Sequence, residues 1–387
     1  MRIYAPDDEE RVRTLRLVRE WMRSGLIDEP QLAVIDRDLR TDLRRTNIVL
    51  RVVLFVFAAI VLQSILGLAL LLVDAENDWL IGTTALVAGA AATLLVEFLI
   101  VRLRFFRFGV EEACAICAVV LVTGGIAVLL AAGSRRFPVT TVLVVASMAC
   151  LASYLRYGYR YVALGAMAAA AAVPFTLDLS QPAARGLSAI VLLLVFLAVR
   201  SLRTASDREH LHDEFKLFES AAWLGLYIVV NLELSSSSWA SSAYSRPFFF
   251  ATYAAIWILP VIGLAIGIRE RHRMMIWANL VAALLTLATN KLYLGWERHP
   301  WDPILLGLLL AGIAVAVRRW LSAGPGGERS GFTPRRLLIS DREKLTIVST
   351  VAGAAQPAAT QPTSTSAPPS FEGGGGSSGG AGASGRF

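Results

Sequence analysis

Between Val52 and Val317 the chain is a succession of ten apolar runs, and the arginines between them gather in every second connection. An α-helix needs about 20 apolar residues to cross a hydrocarbon core of about 30 Å, where no water is available to the backbone. The runs cover residues 52–73, 79–101, 110–132, 137–155, 161–177, 187–199, 218–232, 248–268, 274–292 and 303–317. The sixth, seventh and tenth are short and are expected to extend into their flanks. Of the 387 residues 17% are charged, against about 25% in a typical soluble domain. The pattern predicts an all-α, polytopic transmembrane bundle of about ten spans over residues 48–320. A small cytosolic helical hairpin (1–47) precedes it and a disordered cytosolic tail (321–387) follows.

The arginines orient the bundle. Arg102, Arg104 and Arg107 lie in the second connection, Arg156 and Arg160 in the fourth. Arg200, Arg203, Arg208 and Lys216 fall around the sixth, and Arg269, Arg271 and Arg273 around the eighth. Arg37, Arg40, Arg44 and Arg45 precede the first span, and Arg318 and Arg319 follow the last. The odd connections are poorer, Arg135 with Arg136 being the sizeable exception. Basic residues mark the cytoplasmic side, so both termini are expected there, in an inner (plasma) membrane. That requires an even number of spans. Trp79, Trp239, Tyr244, Trp296 and Trp301 suit the outer boundary, and Tyr154, Tyr157, Tyr159 and Trp320 the inner one. The net charge of +7 is thereby accounted for as topology charge, and no nucleic-acid partner is expected. The first run follows a charged stretch longer than the basic start of a signal peptide, so it is expected to remain as an anchor.

Residues 7–47 read as two short helices. Asp7, Asp8, Glu9 and Glu10 sit where a helix start favours negative charge, and Val12, Leu15, Val18 and Met22 recur at helical spacing. Gly25 suits the left-handed stop. Asp28 and Gln31 form a capping-box-like start for a second helix carrying Leu32, Ile35, Leu39 and Leu43, expected to run straight into the first span. The stretch from Trp21 through Gly25-Leu26-Ile27 to Gln31, with Gly109-Val110-Glu111-Glu112-Ala113 further on, resembles the domain-of-unknown-function 2157 family of predicted bacterial membrane proteins. The resemblance spans the first third of the chain and implies a polytopic architecture with no established activity. Residues 352–370 are rich in Ala, Pro, Thr, Ser and Gln, a composition that cannot bury a core. The Gly/Ser-rich end from Phe371 to Phe387 is similar to the tails of membrane proteins carrying the TPM domain, the domain itself being absent.

Candidate chemistry is sparse. Glu97 lies in an apolar setting near the inner end of the second span, and Glu111 and Glu112 open the third. With Arg102, Arg104 and Arg107 between them, they form a candidate ion-pair cluster, since carboxylates in a span tend to be paired. Gln63 and Asn279 are candidate polar groups within spans, with Asn231 and Asn290 at similar positions; interhelical hydrogen bonds explain such residues. Gly82, Ala85, Gly89 and Ala92 form a small-residue stripe for close helix approach. Gly124-Gly125 and Pro260 are expected to interrupt the third and eighth spans, a pattern found at transport sites. Cys114 and Cys117 form C-x-x-C on one helical face, with Cys150 at a similar depth on the fourth span; soft-metal or thiol chemistry is conceivable there, but all three lie in apolar runs, where packing as small apolar residues is expected. Asp207, His210 and Glu214 have a spacing that suits a divalent metal, but a solvated helix is expected. No catalytic residue, metal or cofactor is assigned.

Three functions remain. The first is a non-enzymatic scaffold or sensor acting through its cytosolic ends, with membrane lipid and a protein partner at the hairpin or tail. The second is a secondary transporter with a site near Glu97. The third is a membrane-embedded transferase using outer-face acids and His299. A polar cavity lined by Glu97, Gln63 or Asn279 would favour transport, and a dry, packed bundle would favour scaffolding.

Overall fold

The computed structural model describes residues 2–23, 25–39, 41–72, 77–133, 139–205, 209–235, 245–294 and 301–324. Several expectations fall outside them: the tail beyond residue 324, Arg135 with Arg136, Asp207, the His210 side chain, Trp239, Tyr244, Trp296 and His299. Among the described residues the fold is all-helical, with one isolated β-bridge.

The helices are α1 (Pro6–Arg23), α2 (Glu29–Asp38), α3 (Ile48–Leu71), α4 (Asp78–Leu103), α5 (Val110–Gly133), α6 (Val139–Tyr157) and α7 (Arg160–Ala172), which tightens into a 3₁₀ turn at Val173–Thr176. They continue as α8 (Gln181–Ala205), α9 (Glu209–Val230), the one-turn α10 (Leu232–Ser235), α11 (Arg246–Arg269), α12 (Arg273–Tyr293) and α13 (Asp302–Ser322). The described residues of each of the ten apolar runs fall mainly on one or two of these helices. Seven helices, α3–α6, α8, α11 and α12, are long and apolar enough to cross a membrane, which fits a membrane-spanning protein. The outward side chains are correspondingly apolar: Val87, Phe98, Leu194, Val261 and Trp277 are all exposed.

Caps and glycines set the joints. Asn47 accepts the Leu50 N–H at 2.8 Å and starts α3, and Asn77 accepts those of Trp79 and Leu80 and starts α4, which satisfies otherwise orphaned donors. Gly25 takes a left-handed φ of 70° and closes α1 through the Leu26 N–H on the Trp21 carbonyl. Gln31 accepts the Asp28 N–H at 3.0 Å. The second helix does not run into the first span: α2 stops at Asp38, and residues 41–47 lead to α3 without helix. There Arg44 donates its N–H to the Arg104 carbonyl and accepts the Phe106 N–H, and Leu43 joins the apolar core. Pairing with that loop replaces the helical hydrogen bonds, and Asn47 nucleates α3 anew.

The expected interruptions of the third and eighth spans are absent, because α5 and α11 run continuously through Gly124-Gly125 and Pro260. Gly125 is a packing residue: a Cβ there would lie 2.8 Å from the Gly82 carbonyl oxygen, whereas one on Gly124 would meet nothing within 4 Å. Pro260 has no N–H for the Ile256 carbonyl one turn back. Thr286 of α12 supplies the missing donor, its hydroxyl 2.8 Å from that oxygen.

Candidate functional site: the arginine-rich end of the bundle

The second, fourth and eighth connections meet at one end of the bundle, together with the ends of α8 and α9 flanking the sixth and the segment before α1. Residues 2–5 form a strap across this end. The Ile3 N–H donates to the Arg156 carbonyl at 2.9 Å. The buried Tyr4 donates its hydroxyl to the Phe105 carbonyl at 3.1 Å and sets its ring edge-on to Phe106; burial pushes that hydroxyl well above the usual tyrosine range. Val12, Leu15 and Val18 of α1 are buried, and Val12 shares a core with Val96, Leu99 and Ile100 of α4.

Arg2 is the hub. Its guanidinium donates to Glu9 at 3.0 Å, to Glu214 at 2.5 Å and to the Tyr154 hydroxyl at 3.3 Å. Glu214, nearly buried on α9, also accepts from Tyr154 at 3.2 Å and from Arg160 at 3.2 Å. Gly158, at φ 74°, turns the chain between α6 and α7 directly beneath the Arg2 guanidinium. Arg13 adds an ion pair to Asp213. The strap and α1 are thus tied by charge-assisted bonds to α6, α7 and α9. With its oxygens taken by two arginines and a tyrosine, Glu214 serves this network rather than the metal spacing considered from the sequence.

The predicted cluster is divided among other partners. Glu97 receives both Nε and Nη2 of Arg156 at 2.8 Å. Glu112 pairs with Arg51 of α3, whose Nε lies 2.7 Å away. Glu111 accepts the Phe108 N–H at 2.6 Å and so caps its own helix. Arg104 ends α4 in left-handed conformation at φ 56°, Arg102 is exposed, and Arg107 lies over the Phe106 ring. Burial holds Arg107 below the usual arginine range, with the nearby Arg160 contributing. Gly109, at φ 110°, lets this loop touch the α3 backbone; a Cβ would lie 2.3 Å from the Arg51 carbonyl oxygen. A second charged group joins α8, α9 and the α11–α12 connection, where Arg200 and Arg203 clamp both Glu219 and Glu270.

Arg51, Arg156 and Glu219 were the partners the sequence reading missed. Glu219 carried the same signal as Glu97, a carboxylate beside Phe218, Ala221, Ala222 and Trp223 in an apolar run. Arg51 lies one turn inside α3, immediately ahead of the first apolar run, where a cation tends to be paired.

Asn279 is fully buried and spent on packing: it accepts the Trp223 indole N–H at 2.9 Å and donates to the Met275 carbonyl at 2.8 Å. Asn231 bonds Tyr227 and Thr289, and Asn290 accepts the Tyr253 hydroxyl. Gln63 is exposed on α3. Cys114, Cys117 and Cys150 are free thiols. Two cavities open near this end. One of about 290 Å³ lies between α4, α5 and α6, with Glu97, Arg156, Thr93 and Ser153 in its lining. The other, about 1120 Å³, lies under the strap between α6, α7, α8 and α9. Comparison with protein-family models, curated proteins and solved structures finds no match.

Proposed function

We propose that the chain is a ten-span inner-membrane protein with both termini in the cytosol, working as a non-enzymatic scaffold or sensor through its cytosolic end. Arg160–Thr176, α9 and α13 supply the three spans beyond the seven long apolar helices. Gathering of the arginine-bearing connections at one end supports the orientation. The observation that carries the function is the Arg2 hub. It couples the N-terminal strap and α1 to three helices of the bundle, so an event at the cytosolic end and a rearrangement of α6, α7 or α9 bias each other.

The second reading, transport, is favoured by the Glu97–Arg156 pair facing the smaller cavity; neither Gln63 nor Asn279 lines that cavity. Complementation of a deletion strain, read by metabolite and growth profiling, separates the two. On the scaffold or sensor reading Arg2→Ala fails to complement and Glu97→Gln complements fully. The opposite pattern would establish transport and overturn the primary reading.

A further inference from the structure

The larger cavity has a one-sided chemistry. Its inner wall is buried and apolar, with Ala163, Ala166 and Phe218 among its residues. Its lips, Leu151, Leu155 and Leu202, are 48%, 57% and 56% exposed and face outward from the bundle. The strap residues Ile3 to Ala5 lie across one end. The hydroxyl of Ser147 in the wall is already spent on the Ala166 carbonyl at 3.0 Å. Among the described residues, charge enters the lining at the strap end, at Arg2 and Glu9, whose side chains keep 20% and 15% exposure. A space this size with apolar walls suits hydrocarbon rather than water, and its outward lips give entry from the bilayer.

The charged end identifies the headgroup. Arg2 lies between the carboxylates of Glu9 and Glu214, and Glu214 is shared with Arg160. Among the described residues of the lining, Arg2 is matched by Glu9, with Glu214 and Arg160 paired behind them and Arg107 outside the lining, so the lining itself carries no surplus positive charge to select an anion. An anionic lipid would bring its charge against Glu9. A zwitterionic headgroup matches both signs, its phosphate toward Arg2 and its ammonium toward Glu9. We propose that this cavity holds the acyl chains of a zwitterionic, ammonium-bearing phospholipid that enters sideways from the bilayer. The proposal rests on the membrane orientation and the strap described under the proposed function, and it makes the strap the part that reads the lipid.

The full chain, reconstituted in nanodiscs holding equal amounts of phosphatidylethanolamine and phosphatidylglycerol and then extracted in detergent, tests this by native mass spectrometry. Retained phosphatidylethanolamine is expected to exceed phosphatidylglycerol about tenfold, a difference of about 1.4 kcal/mol. Ala170→Phe and Met167→Trp should abolish retention with helical content and elution volume unchanged. Glu9→Gln, which leaves the cavity wall intact, should shift retention toward phosphatidylglycerol. Equal retention of the two lipids, no retained lipid, or retention indifferent to the wall variants and to Glu9→Gln would overturn the proposal. A strain phenotype indifferent to Arg2→Ala, with selective lipid retention by the wild-type chain, would instead remove the strap's signalling role and leave the lipid site standing.

Discussion

His272 stands at the start of α12 as its cap: the Nδ1 atom accepts the Met275 N–H at 2.9 Å, so the ring carries its proton on Nε2. Burial holds its pKa below the ordinary 6.5; Arg203 and Lys216 push the same way, against an opposing backbone hydrogen bond and Glu270. Glu219 lies 3.9 Å from Nε2, but its charge is already held by Arg200 and Arg203. The folded state therefore resists a proton that the unfolded chain accepts. Stability is full above the unfolded pKa and falls as pH drops through about 6.5 toward the lower folded value. His272→Asn keeps a capping acceptor and removes the titration. Thermal unfolding in detergent at pH 7.5 and 5.5 should show a drop for the wild type and a flatter response for the variant. Thr286 tests a second single-residue role. Thr286→Val removes the donor to the Ile256 carbonyl and should cost about 1 kcal/mol. On a Pro260→Ala background, where the restored N–H satisfies that carbonyl, the same change should cost less, a coupling that a double-mutant cycle reads directly.

At the scale of elements, the α4–α5 pair depends on backbone approach. A Cβ on Gly82 would fall 2.6 Å from Leu129, one on Gly89 2.9 Å from Val122, and one on Gly125 2.8 Å from the Gly82 carbonyl oxygen. Gly125→Val should destabilise the protein by roughly 1–3 kcal/mol through overpacking, whereas Gly124→Ala should be neutral or slightly stabilising; unfolding midpoints of the two variants compare them. The small-residue stripe was legible in the sequence because spacing of three and four residues places Gly82, Ala85, Gly89 and Ala92 on one face. The role of Gly125 was not, since a glycine pair reads equally as a break or as a close contact until the opposing helix is known. The end of α2 was hidden for a related reason. Leu39 and Leu43 keep helical spacing, but the competing attraction is the Arg104–Phe106 backbone, some sixty residues away in sequence. Local signals such as Gly25 and Gln31 matched what forms, because the groups they satisfy lie within four residues.

For the whole molecule, orientation is the testable property. On the proposed orientation, green fluorescent protein fused after Phe387 should fluoresce and alkaline phosphatase fused there should stay inactive. Phosphatase inserted in the connection before α8 should be active. An odd number of spans would reverse the C-terminal result. The site was half legible at this scale. Glu97, Glu111 and Glu112 stood out as charges in apolar runs, but their partners come from other helices, and pairing between distant runs leaves no mark in spacing. The Arg2 hub was the least visible of all, a single arginine ahead of an ordinary acidic helix start.

That hub also sets an order of assembly. Arg2 and Glu214 are separated by 212 positions, so at about 5–20 residues per second the strap emerges roughly 10–40 s before its carboxylate exists. Through that interval Tyr4, Val12, Leu15 and Val18, all buried at the end, have only part of their final surroundings. The strap is made well before the helix it is tied to, and the Arg2–Glu214 bond can close the arginine-rich end only after α9 has been made.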